Sequence, residues 1–145
     1  VAASNYLKNK LVDHIFRAKE FIAPDVMYVG LLRSLPYDGQ VEVELCGHSY
    51  ARVPVVSSMD AWSGTQDRGS ASQSTGDSGA TSNNLPIRFP VPTADWGEVR
   101  GFALYDSQVG GNMIIFGELT TSKFISFGEH PPVFVPGALM YQLKS

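Results

Sequence analysis

Gly76-Asp77-Ser78-Gly79 sets a serine between glycines beside an acid, the kind of segment that carries the nucleophile of double-barrel serine proteases. Such a serine attacks only when a histidine takes its proton and a buried aspartate orients that histidine. His14, His48 and His130 are the three histidines, and none has the local surroundings of such a base. A chain of 145 residues is also short for two barrels, and Ser78 lies where Ser, Gly, Thr and Asp are so frequent that the tetrapeptide arises by chance. Asp60, Asp67 and Asp77 are spaced too widely for a calcium loop, whose ligands alternate within about twelve residues. Glu42 and Glu44 fall on one face of an alternating strand, where paired-carboxylate chemistry is conceivable. Alternation in a half-exposed strand explains them without it. No two histidines have local metal spacing, and the single Cys46 excludes an internal disulfide and argues against a cysteine-ligated zinc. The expectation is a protein with no catalytic residues, no cofactor and no metal.

Contact chemistry is better represented. Residues 57–84 draw 15 of their 28 positions from Ser, Thr and Gly, and Met59 and Trp62 are their only large apolar side chains. A segment of that composition buries too little to offset its ordering entropy, so it reads as a long loop or flexible arm. An isolated Trp there either anchors the loop on its own domain or meets a partner. Trp62, with Met59 beside it and Tyr6 near the N-terminus, are the candidate partner-binding residues. Trp96, between Asp95 and Gly97 at the entrance to a strand, reads instead as a core aromatic.

The elements that position these residues follow from periodicity. Ser4 can cap a helix over residues 5–19, in which Leu7, Leu11, Ile15 and Ala18 recur at helical spacing and Val12 and Phe16 widen the stripe. After Pro24 the period changes. Residues 26–32 read as a buried strand, and Pro36, Asp38 and Gly39 signal a turn. Residues 41–45 alternate, and a strand ending at Val56 contains Pro54, which argues that it lies at a sheet edge or is interrupted. Beyond the polar segment, short strands are expected around Ile87 and Phe89, Val99 to Leu104, Met113 to Phe116, Lys123 to Phe127, Val133 to Val135 and Ala138 to Leu143, with Val109-Gly110-Gly111-Asn112 as a hairpin turn. The fold class is mainly β: an antiparallel sandwich or barrel of short strands with one N-terminal amphipathic helix, all in a single domain over residues 1–145.

The balance of 43% hydrophobic and 17% charged residues permits a real core. A net charge of −3 with scattered basic residues argues against a nucleic-acid partner. No run of 18 apolar residues suggests a membrane span, and no secretory signal pattern opens the chain.

Several segments in order resemble one family. They are Ser4-Asn5-Tyr6-Leu7 with Leu11-Val12-Asp13-His14, then Val26-Met27-Tyr28-Val29-Gly30-Leu31, then Gly47-His48-Ser49-Tyr50-Ala51-Arg52. Thr93-Ala94-Asp95-Trp96-Gly97 with Phe102-Ala103-Leu104-Tyr105-Asp106, Gly110-Gly111-Asn112 and Gly117-Glu118-Leu119 continue the pattern. The chain resembles a family of small tailed-bacteriophage structural proteins often labelled tail fibre protein or minor structural protein. The resemblance implies a virion component made in the host cytoplasm. With no heptads or fibrous repeat in the chain, the expected role is capsid decoration: binding the major capsid protein, copies of itself, or both, as a homo-oligomer. The alternative is a tail or tail-fibre component involved in host attachment.

Overall fold

The computed structural model describes residues 1–37 and 41–143, so the expected turn at Asp38 and Gly39 lies outside the described residues. Strand β2 (Val26–Ser34) is central. It pairs antiparallel with β7 (Gly97–Tyr105) on one side, and with β3 (Val43–Glu44) and β4 (Val53–Val56) on the other. β7 pairs with β8 (Met113–Ile125), and β1 (Ala2–Ala3) adds to the outer side of β8 through Ala2 opposite Phe116 and Ala3 opposite Ile115. Two small antiparallel sheets complete the fold: β5 (Ala80–Ser82) with β10 (Met140–Gln142), and β6 (Ile87–Arg88) with β9 (Val133–Phe134). The main sheet is open, so of the two expected β architectures the closed barrel is not formed among the described residues.

Period-2 alternation divides the core. Val29 and Leu31 of β2 join Phe102, Leu104 and Ile115 on one face, where Ile87, Phe89, Leu139 and the ring of Phe134 close over them. Leu32, Ala103, Tyr105 and Phe116 gather on the opposite face. Val99 and Phe102 share a face although three residues apart, because the β7–β8 register shifts between Val99 and Gly101. At that shift Glu118 faces Gly101 and Lys123 faces Val99, so residues 119–122 bulge opposite Arg100 alone. Met113 to Ile125 is therefore one bulged strand, where the sequence suggested two.

The expected core aromatic is in place. Trp96 is 1% exposed, its indole N–H donates to the His48 carbonyl at 2.9 Å, and Tyr50 meets it edge-on at 5.6 Å. Gly97 has φ +88, a conformation that a side chain resists, and Asp95 accepts from the Phe127 N–H at 2.6 Å. Pro54 lies on edge strand β4, where its missing N–H leaves no ladder bond unmade.

Helix α1 spans Asn5–Phe16 and not 5–19. Ser4 caps it, accepting from the Leu7 N–H at 3.1 Å while donating to the Met113 carbonyl at 2.6 Å, and the Ser4 N–H bonds the Ile114 carbonyl. The helix is thus riveted to β8 at its first turn. It stops early because Ala18 takes φ +56, in the left-handed region, and turns the chain back.

Residues 57–84 are ordered by their own side chains. Ser63 and Ser82 are buried with their hydroxyls 3.2 Å apart, and Thr81 donates to the Ser63 carbonyl at 2.7 Å. The Gln66 amide N–H2 reaches Ser70, Ser72 and the Gln73 carbonyl, and its oxygen accepts from Thr75. Buried Asn83 donates to the carbonyls of Leu85, Phe134 and Val135 and accepts from the Leu139 N–H. The segment takes the form of a long loop, one of the two forms that composition allowed, and it is knitted by hydroxyl and amide bonds to backbone.

Candidate partner-binding surface

α1 has no fully buried residue. Leu7 and Tyr6 pack on the main core at the anchored end, but the apolar stripe read from helical spacing is left uncovered farther along. Val12 is 51% exposed, Ile15 65% and Phe16 80%, and Ile22 on the returning segment is 79% exposed. The physical reason is reach. Ser4 and Leu7 tie down only the first turn, and at 1.5 Å per residue Phe16 lies about 14 Å farther along the axis than Leu7. Residues 8–22 form an arm whose tip is uncovered and whose returning end meets the body again at Phe21. The arm folds back as the Lys19 N–H bonds the Asp13 carbonyl and the Phe21 N–H bonds His14 Nδ1.

At the base of this arm lies an apolar groove of about 370 Å³. Leu7, Phe21, Ala23, Pro24, Met27, Trp62, Leu104, Ile114, Ile115 and Tyr141 line it, with Ser57, Ser58 and Thr81 at its polar margin. Trp62 is half-buried, packed on the main core and bridged to Asn83, so it is both held by its own domain and open to the groove. Tyr6 does not line the groove. Its ring meets Phe21, which does, at 6.4 Å, and Lys10 sits 5.7 Å over its face. Met59 is 60% exposed in the turn before Trp62, next to Ser57 and Ser58. Two of the three expected contact residues therefore border one surface directly or through a neighbour. Phe21, Pro24, Met27 and Tyr141 were not read as contact residues from sequence, because no local signal joins residues 21–27 to Trp62 and Tyr141.

Of the residues considered for chemistry, Ser78 and Glu44 make structural bonds. The Ser78 hydroxyl donates to the Thr65 carbonyl at 2.8 Å and accepts from the Ala80 N–H. Asp60, Asp67 and Asp77 are exposed, and among the described residues no group of three or more His, Cys, Asp or Glu is placed to hold a metal. Glu42 is exposed, whereas Glu44 is half-buried and gripped by Arg52 through Nε at 2.9 Å and Nη2 at 2.8 Å. Arg52 also donates to the carbonyls of Ser107 and Gly110 and lies 3.5 Å over the Tyr105 ring. The Tyr50 hydroxyl donates to Glu44 at 2.5 Å and accepts from the Leu31 N–H at 3.0 Å. Burial, and then the Glu44 hydrogen bond, push the Tyr50 phenol well above its ordinary value, against the opposing pull of the Leu31 N–H. Burial and the Glu44 charge do the same to Tyr105, against Arg52. This cluster fastens β2, β3 and the β7–β8 hairpin together on the face of the sheet that holds Tyr105.

The model of one protein family matches residues 2–142, described as podophage GP4 fiber I protein gp80. The chain belongs to this family. Membership covers the arm, the groove and the polar cluster alike, and makes the protein a bacteriophage structural component of the virion with a fibre-type family description. No curated protein matches the chain.

Proposed function

We propose that the protein is a non-enzymatic contact subunit seated on the capsid shell, where it decorates and stabilises the major capsid protein lattice. The observation that supports this reading is the arm with Val12, Ile15, Phe16 and Ile22 uncovered, beside an apolar groove on the same body. Exposed apolar side chains grouped on one arm, with an apolar groove at its base, mark a place for another protein. An absence of chemistry is consistent with Ser78 and Glu44 being occupied by structural bonds. A body that carries a net negative charge disfavours nucleic acid as the partner. No helix of the described residues is long and apolar enough to cross a membrane.

A second reading places the same contact surface in the tail, as a fibre-associated subunit, and the fibre wording of the family description favours it. Electron cryomicroscopy of particles with and without the protein separates the two. Difference density on the shell lattice supports decoration. Density confined to the tail supports the second reading and removes the first. Its absence from purified particles overturns both.

A further inference from the structure

We infer that the arm of one copy docks into the groove of a second copy of this chain, so that the protein self-associates through α1. The inference rests on the arm and groove being a contact surface, and it names the partner.

Three observations carry it. First, the apolar tip of the arm and the groove match in type but do not meet within one molecule, where only the returning Phe21 reaches the groove. Leu7 lines the groove, while Ile15 and Phe16 stand two helical turns beyond it on a rigid helix, so the tip cannot fold back into the groove at its own base. A second copy removes that restriction. Second, the charge is divided between the two parts. Residues 5–20 hold four basic and two acidic side chains, whereas the rest of the chain holds seven basic and twelve acidic ones. Arms repel arms and bodies repel bodies, but an arm is attracted to the body of another copy. Third, the apolar surface is of the right kind. Four large aliphatic or aromatic side chains, each at least half exposed, present several hundred Å² per copy, and the groove rim at Trp62 and Tyr141 adds to it. A standard interface needs about 800 Å² per partner. Because donor and acceptor lie side by side on one molecule, two copies related by a two-fold axis exchange arms and bury both contacts at once.

The experiment is analytical ultracentrifugation of the purified chain over a concentration series, at low and high sodium chloride. The wild type should sediment above its 15.7 kDa monomer mass at micromolar concentration, and the association should weaken at least several-fold in the higher salt. The double variant Ile15→Ser/Phe16→Ser should be monomeric with an unchanged circular dichroism spectrum, since both side chains are exposed. Trp62→Ser removes the other side of the contact and should also weaken association. An equimolar mixture of the arm double variant and Trp62→Ser retains one intact arm–groove pair and should recover part of the association that each variant lacks alone. A wild type that stays monomeric at 100-fold higher concentration overturns the inference, as does an oligomer indifferent to the arm variant. A monomeric wild type that still binds particles through Phe16 would sink this inference and leave the proposed function standing. An arm-dependent oligomer absent from particles would do the reverse.

Discussion

Gly30 sits in the middle of β2, where a side chain would enter the polar cluster. An alanine methyl there would lie 2.7 Å from Glu44 Oε2, 3.0 Å from the edge of the Tyr105 ring and 3.0 Å from the Tyr50 hydroxyl. None of the three can withdraw freely. Arg52 holds both Glu44 oxygens, its guanidinium lies on Tyr105, and the Tyr50 hydroxyl is tied to the Leu31 N–H. Gly30→Ala must therefore shift the strand or break the Tyr50–Glu44 bond. Overpacking a tight site costs about 1–3 kcal/mol, and losing a hydrogen bond to a charged group costs about 1.5–3 kcal/mol. Alanine's smaller loss of backbone freedom returns about 0.5–1 kcal/mol. The net expectation is destabilisation by about 0.5–2.5 kcal/mol, against the roughly 5–15 kcal/mol of a whole domain. Urea denaturation followed by tryptophan fluorescence should show a lower midpoint with an unchanged slope. Adding Tyr50→Phe removes one of the three obstacles, so the double variant should be less destabilised than the two singles taken together. An unchanged midpoint for Gly30→Ala, or strict additivity in the double variant, would refute the packing described for this cluster.

Trp96→Ala empties the most enclosed aromatic site and should destabilise the fold by about 3–5 kcal/mol, and an unaltered melting temperature would contradict its burial. Ala18→Gly relieves a left-handed alanine at the end of α1 and should raise stability by up to about 1 kcal/mol, whereas a lower melting temperature would argue against that backbone. Tyr50 has a raised pKa in the folded protein, so the native state keeps its proton where the unfolded chain has lost it. Its contribution is complete below the unfolded value of about 10 and is lost as pH rises beyond it, by up to about 1.4 kcal/mol per pH unit. Equilibrium unfolding between pH 9 and 11 should show that decline, and Tyr50→Phe should make it shallower, leaving the share that Tyr105 contributes.

The features legible in sequence are those decided by near neighbours. Ser4 as a cap, Pro54 on an edge, and Trp96 between Asp95 and Gly97 each follow from the local backbone, and each is found. The helix end was not legible, because nothing in an Ala-Lys pair announces a left-handed turn at residue 18. The order of residues 57–84 was hidden for a different reason. Composition measures how much a segment can bury, not whether Gln66 and Asn83 can satisfy the backbone around them. The polar cluster was half visible. Tyr50 and Arg52 stood out as members of one segment and Glu44 as one of two strand carboxylates, but their mutual bonds arise only when β3 and the segment before β4 meet on β2. The groove was invisible as a unit, since Leu7, Phe21, Trp62 and Tyr141 meet only through the tertiary fold.

The bulge in β8 has a practical use. Residues 120–122 are exposed, and they lie where the β7–β8 register leaves four residues of β8 opposite one of β7. Lengthening the chain there disturbs no paired position on either strand, and the site lies on a different part of the chain from both the arm and the groove. A short peptide epitope inserted between Thr121 and Ser122 would give antibody labelling a fixed handle on the assembled particle.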